Sequence, residues 1–381
     1  MLPISRNEND IKGEGQMRST WKRMSCLALA FVVGIMILGC GKKEAKDVQT
    51  DLSGLSVISK WIPLDSVPIP KNQNLLTGVG DLSQEAIGKR PVAVMVNNIE
   101  PALPQYGISQ ADVIFEMPVE GDATRLMALY ADYTKMPDIC AIRSCRYYYP
   151  ALAKGFDAFY VHWGMDPSVT GYVASLNMNR YDGNANTGGL FARDTARRQA
   201  GYALEHTGYF KGTQFASVVQ SSGVRTDLLD SKTGTAFNFC EMGTVTTPTG
   251  QACNVMDVKF GAARAKVTYD AEKGIYYKEI NGKPHVDGRT GEQLSFSNVF
   301  VLETSISVRD EVGHKKLDWA GSSSAKGYYV SNGVVQEIRW SKANGNESSY
   351  LKFYDTNGKE LEINRGKSYI GYTYKGRTSW E

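Results

Sequence analysis

Arginines and carboxylates crowd one stretch of this chain. Between Ala111 and Asp166 lie Glu116, Glu120, Asp122, Arg125, Arg143, Ser144, Arg146 and His162. In Arg143-Ser144-Cys145-Arg146, two guanidiniums with a hydroxyl between them could clamp a phosphate or pyrophosphate through bidentate bonds. The same arginines, and Arg125 with them, could instead pair with Asp112, Glu116, Glu120 or Asp122. Glu116, Glu120 and Asp122 could form an acid/base pair or a hard-cation site, or lie solvated or bound to arginine. His162 could act as a general base, with Asp166, Asp194 or His206 as a second member. A histidine satisfied by the backbone at a strand end fits its position as well. No GxSxG or HExxH motif supplies a nucleophile or a metal pair. Tyr147, Tyr148, Tyr149, Tyr160, Tyr172 and Tyr181 could stack on a glycan or fill the core.

Short apolar runs must position these groups. Val113–Phe115, Leu126–Tyr130 and Phe159–Val161 are β-branched or aromatic and bounded by charge, Gly or Pro, so each reads as a buried strand. The polar residues fall at the ends of these runs, where an open sheet gathers its ligands. Pro91–Asn97 and Ile139–Ile142 read as further strands. Tyr147–Lys154, Val169–Asn177, Thr195–Thr207 and Gln214–Ser222 read as helices. The clearest is Thr195–Thr207, where Ala196, Ala200, Ala203 and Leu204 recur at helical spacing and Asp194 or Thr195 can cap. Residues 88–235 thus form an α/β-like region with a mixed sheet. Residues 55–87, with Trp61, Pro63, Pro68 and Pro70, read as an extended lead-in.

From residue 237 the texture changes to short strands separated by turns. Asn281-Gly282, Asn332-Gly333 and Asn357-Gly358 are strong hairpin signals, because Asn-Gly tolerates positive φ at both central positions. Residues 237–381 read as a mostly antiparallel β-rich region, and the whole chain as α+β.

The N-terminus gives an address. Arg18, Lys22 and Arg23 precede the apolar core Leu27–Leu38, which is too short to span a bilayer, a task for about 20 apolar residues. Residues 1–39 read as a signal peptide, with Met17 a candidate true start. Ile37-Leu38-Gly39-Cys40 resembles a bacterial lipobox, which implies a diacylated Cys40, and two chains suffice for stable anchoring. Residues 40–54 form a polar, flexible tether. The expected place is the outer face of a Gram-positive cell membrane.

The chain has 381 residues and a formal charge of +3, falling to about +1 without residues 1–39. No run of like charge suggests nucleic acid. Past the signal and Cys40, four cysteines remain: Cys140, Cys145, Cys240 and Cys253. Export permits disulfides, and the local pairs Cys140–Cys145 and Cys240–Cys253 are the expected ones, with four free buried thiols as the alternative. No histidine adjoins either pair, so no zinc site is expected, and no cofactor is implied.

The whole pattern resembles the YerB-like lipoprotein family of Gram-positive bacteria. The resemblance rests on Arg90–Asn98, Pro104–Gly107, Ala111–Glu116, Glu120-Gly121, Thr124–Ala128, Ile142–Arg146 and Phe156–His162. In the second region it rests on Asn281–His285, Asp287, Trp340, Asp355–Leu361 and Asn364–Lys367. Cys140-Ala141 stands where Gly-Pro is expected. The resemblance implies a two-domain envelope protein and brings no activity with it. The first expectation is therefore a surface lipoprotein that binds an envelope component or partner through the strand-end cluster. Cell-wall glycan is one candidate ligand. The alternatives are an envelope enzyme handling a phosphorylated or pyrophosphorylated wall precursor, and a structural partner of another envelope protein.

Overall fold

The computed structural model describes residues 67–381. The signal segment, Cys40, the tether and the lead-in up to residue 66 lie outside these residues. The first region contributes β1 (Val92–Asn97), β2 (Val113–Pro118), β3 (Thr124–Tyr130), β4 (Ile139–Cys140), α1 (Tyr148–Gly155), β5 (Phe159–His162), α2 (Thr170–Ser175), β6 (Arg180–Asp182), β7 (Phe191–Arg193), α3 (Thr195–Gln199), β8 (Gly208–Phe210) and α4 (Phe215–Ser221). The second contributes β9 (Gln251–Ala252), β10 (Val255–Lys259), β11 (Arg264–Asp270), β12 (Ile275–Ile280), β13 (Lys283–Pro284), β14 (Ser295–Phe296), β15 (Asn298–Thr304), β16 (Ile306–Val308), β17 (Lys315–Leu317), β18 (Gly321–Ser331), β19 (Val334–Ser341), β20 (Lys352–Tyr354), β21 (Ser368–Tyr374) and β22 (Thr378–Trp380). The fold is α+β.

The two regions do not close into separate domains. One eleven-stranded mixed sheet runs β20-β19-β18-β15-β21-β2-β3-β1-β5-β6, with β9 on β19. The seam is β21, which pairs in parallel with β15 on one side and with β2 on the other. The expected boundary near residue 236 is thus a change of sequence texture and not a break in the sheet. β21 was absent from the expected strands, although SYIGYTY has the β-branched and aromatic content of one.

Alternation along the strands sends side chains to two buried faces. Ala93, Met95, Phe115, Met127, Phe300 and Tyr372 face one way, towards Tyr148, Tyr149 and Leu152 of α1 and Leu75 and Leu76. Residues 67–87 therefore have little regular structure, as expected, yet supply core. Val94, Val96, Ile114, Leu126 and Tyr369 face the other way, against Met256, Val267 and Tyr276 of the second sheet, whose order is β13-β12-β11-β10-β22, and against Phe215 of α4.

The Asn-Gly turns behave as expected at two of three sites. Asn281 and Gly282 have φ of 49° and 80°, and Asn332 and Gly333 have 48° and 75°. The expected helix Thr195–Thr207 ends at Gln199. Ala196 and Ala200 are exposed, and the buried residue is Arg197. Arg197 donates to Ala102 O and His206 O and stacks on Tyr106. Gly201, at φ 84°, turns the chain away. A polar anchor, and not the alanine stripe, docks this helix.

Candidate functional site

The strand-end residues come together in part and then consume one another's charge. Arg125 opens β3 opposite Asn97, the last residue of β1. Glu120 sits in the tight turn between β2 and β3. The segment from Arg143 to Cys145 is threaded between strand ends by backbone bonds to Met95 O and Gly164 O. Arg125 donates to Glu120 Oε1 at 2.6 Å and to Ser144 O at 2.9 Å. Arg146 Nε donates to Glu120 Oε2 at 2.8 Å, and its terminal nitrogen reaches Oε1. One carboxylate thus takes both guanidiniums. Burial alone would raise the Glu120 carboxyl, but the Arg146 hydrogen bond and the charges of Arg125 and Arg146 overcome it and hold it down to about 2. Arg143 points away, 3.4 Å from Glu205. The expected paired clamp is therefore not formed: the two arginines diverge, and Ser144 offers Arg125 its carbonyl.

This arrangement has a pH signature. Glu120 has a lower pKa folded than unfolded, so its contribution is complete above about 4.5 and is lost as pH falls towards about 2. Melting temperature between pH 5 and 2.5 should fall more steeply for the wild type than for Glu120→Gln. Parallel curves would contradict the clamp.

The other members lie elsewhere. Asp122 pairs with Lys315 at 3.0 Å. His162 is fully buried, and its Nδ1 lies 2.9 Å from Gly164 O, so this nitrogen carries the proton. Burial holds it below the usual histidine range, and its Nε2 has no hydrogen-bond partner. Through Nδ1 it is a strand-end histidine held by the backbone. Asp194 caps α3 by accepting from Arg197 N at 2.8 Å. His206 caps no helix through its side chain, since Nδ1 accepts from Asn97 Nδ2 at 3.1 Å. Asp166 lies with Asp310 and His314, close enough to share an ion, but Arg309 already bonds both carboxylates. Tyr148, Tyr149 and Tyr160 are core residues.

Glu116 belongs to a network that the sequence did not foreshadow. It is 1% exposed and accepts from Asn98, Thr124 and Tyr369, each at 2.8 Å. Lys278 of β12, fully enclosed, pairs with it at 3.1 Å. Lys278 also meets His285 Nδ1 at 3.1 Å, and His285 Nε2 meets Gln105 Oε1 at 3.0 Å. The ammonium can only donate, so Nδ1 accepts and Nε2 carries the proton. Burial and then Lys278 hold His285 well below the usual histidine range, so it is neutral. The network ties β2 and β3 to β12 and β21 across the two regions.

The four cysteines of the described residues are free thiols. The expected pairs Cys140–Cys145 and Cys240–Cys253 are not formed, because each thiol is directed into separate surroundings. Cys140 sits on β4 and donates to His206 O, the Cys145 thiol meets the Tyr160 hydroxyl, Cys240 donates to Thr244 O, and Cys253 to Val255 O. Burial pushes Cys140 and Cys253 up to about 12 and Cys145 up to about 11.

Open space lies at the other end of the sheet. A cleft of about 640 Å³ borders Arg90, just before β1, Asp157 and Ala158, before β5, and Asn177–Asn179, before β6. Arg90 and Asn97 are seven residues apart, so this cleft stands roughly 20 Å from the Glu120 clamp, at about 3.3 Å per residue. Arg225, Lys154 and Lys232 from the first region, and residues 343–354 from the second, complete it. Five cations and one carboxylate line it, and Lys352 also pairs at 2.6 Å with Glu360, outside the lining, so Lys154 and Lys232 are the lining cations without an acidic partner in an ion pair among the described residues. The lining carboxylate, Asp157, is taken at 2.7 Å by both terminal nitrogens of Arg225 and lies 3.4 Å from Arg90. Lys232, 6% exposed, donates to Ser348 O and rests on the Tyr350 ring at 4.1 Å. Behind the rim, enclosed Lys342 donates to Glu347 O at 2.7 Å and to Ser349 O. Burial, then Lys232, push it down to about 7. Gly155 ends α1 here because a Cβ would overlap Ser349 O and Lys342 Nζ. Gly155→Ala should lose about 1–3 kcal/mol in urea unfolding, although alanine is the better helix former by about 1 kcal/mol. A gain would mean that the rim does not close on this helix. Sequence reasoning missed the cleft because its cations, from Arg90 to Lys352, are spread singly through the chain.

Comparison with known proteins places this geometry in a family. The N-terminal domain of a protein of unknown function (DUF3048) matches residues 76–225, and the C-terminal domain of the same description matches residues 256–370. The chain belongs to this family. The family's two matched segments meet within the shared sheet described above. Over 334 residues the chain is 26% identical to the provisionally named lipoprotein YerB of Bacillus subtilis (strain 168), covering 85% of this chain and 88% of that one. The crystal structure of the YerB protein from Bacillus subtilis matches with a TM-score of 0.66 and 25% identity, over 81% of this chain and 98% of that one. The family resemblance read from the sequence is therefore shown.

Proposed function

We propose that this protein is a lipid-anchored binding protein at the outer face of the cell membrane, and that its ligand, an envelope component, sits in the basic cleft. The observation that carries this reading is the charge of the cleft: its five cations meet Asp157, held by two arginines, and Glu360, paired with Lys352, which leaves a net positive cleft with Lys154 and Lys232 free of acidic partners among the described residues. The lining offers ammonium and guanidinium groups, amides, serine hydroxyls and tyrosines, which suits holding an anionic, hydroxyl-bearing ligand. The strand-end arginines Arg125 and Arg146 share Glu120, whereas Lys232 of the cleft bonds only a carbonyl and an aromatic face. The Gly39-Cys40 motif and a relative described as a lipoprotein support the anchor.

Two measurements test the reading. Cys40→Ser should move the protein from the membrane fraction to the medium, and retention on the membrane would argue against a lipid anchor. Purified cell-envelope fragments should pull down the wild type and Arg143→Ala, but not Lys154→Glu/Lys352→Glu. Equal capture of all three would remove the cleft as the site.

A further inference from the structure

We infer that the cleft takes a phosphorylated saccharide, with the phosphate among Lys154, Lys232 and Lys352 and the sugar against Tyr350 and the neighbouring amides. This inference rests on the cleft being the ligand site and names what that ligand is.

Three observations carry it. The first is uncompensated charge in a confined place. Lys232 is nearly enclosed, yet its partners are a carbonyl oxygen and an aromatic face. A buried cation without a counter-charge is costly, and a bound dianion supplies one. Lys342 stands directly behind, held by carbonyls of the same rim loop. The second is geometry. The ammonium groups come from α1, from the segment before residue 235 and from β20, so they converge on the cleft from different elements. Rotatable point charges meeting from several directions suit a tetrahedral phosphate better than a planar carboxylate, which favours a bidentate guanidinium. Both guanidiniums of the cleft are already directed at Asp157. The third is the rest of the lining. Tyr350, with Lys232 over one ring face, and Tyr354 border the cleft, and Asn177 and Asn179 bring amides, the latter with its oxygen on Arg90, groups that pack on and hydrogen-bond a sugar. The volume, about 640 Å³, lies within the range of small-ligand sites, roughly 300–1,000 Å³.

The test is isothermal titration of the mature chain carrying Cys40→Ser with glucose 1-phosphate, inorganic phosphate and glucose in turn. Glucose 1-phosphate should bind at least tenfold more tightly than inorganic phosphate, and glucose should not register. Lys154→Ala and Lys352→Ala should each weaken glucose 1-phosphate about tenfold, the scale of one charge-assisted hydrogen bond, while Arg143→Ala should leave it unchanged. Lys342 provides an independent readout. A nearby dianion favours its protonated form, so binding at pH 8 should take up a proton, seen as a heat that varies with the buffer. Inorganic phosphate binding as tightly as the sugar phosphate would overturn the saccharide part. If no phosphate probe binds while envelope fragments still bind through Lys154 and Lys352, the phosphate chemistry falls and the cleft stands. If fragment capture ignores those lysines, the reading of the cleft as the ligand site falls with it.

Discussion

Lys278→Met should lower the unfolding free energy by about 3–5 kcal/mol, the cost of breaking a buried ion pair from one side. The substitution leaves the Glu116 carboxylate 1% exposed, with its neutral donors Asn98, Thr124 and Tyr369 but no counter-charge. Methionine fills much of the lysine's volume, so the loss would report charge rather than a cavity. His285 would also lose the donor to its Nδ1. The companion variant Glu116→Gln/Lys278→Met should recover a large part of the loss, because replacing both partners of a buried pair is often close to neutral. Urea unfolding at pH 7 checks both. A single variant within about 1 kcal/mol of wild type would show that the network is not an ion pair at its centre.

Trp340→Ala should cost a similar amount, about 3–5 kcal/mol for truncating a fully buried aromatic residue. The indole lies on β19 with no exposure and donates from Nε1 to Lys326 O at 3.0 Å. It meets Tyr372 of β21 edge-on, with ring centroids 5.2 Å apart. Gly321 and Gly327 leave the room it fills, since a Cβ at either would meet the ring. β21 carries the sheet on to β2, so the damage should not stay in the second region. Amide exchange should quicken in β1–β3 as well as in β18 and β19, and unfolding should remain one transition by near- and far-ultraviolet circular dichroism. Two separate transitions, with β1–β3 unaffected, would mean that the regions fold independently despite the shared sheet.

The sequence was most legible where period and turn chemistry act locally. Val92–Asn97, Phe159–His162 and Phe215–Ser221 lie where alternating or helical patterns place them, and Asn281-Gly282 and Asn332-Gly333 turn as their residues require. It was least legible where a partner far along the chain decides. β21 comes late in the chain, and only its neighbours β2 and β15 make it the seam. The alanine stripe of Thr195–Thr207 suggested an apolar face, but buried Arg197 holds that segment instead. Cysteine spacing suggested local pairs, yet the four described cysteines are buried free thiols, three of which bond backbone carbonyls. For the site, the same limit applied more strongly. Arg125 and Arg146 stood out because they lie close to strand ends in sequence, and that closeness also let both pair with Glu120. Lys154, Arg225, Lys232 and Lys352 have no shared motif, so only the fold brings them together.

The most direct measurement locates the ligand on the protein. Amide hydrogen exchange of the mature chain carrying Cys40→Ser, followed by mass spectrometry with and without soluble envelope fragments, would do this. Protection should rise in peptides covering residues 154–158, 177–179 and 343–354, and stay unchanged over 120–125 and 143–146. Protection confined to the second pair of segments would move the site back to the arginine–glutamate cluster and contradict the account.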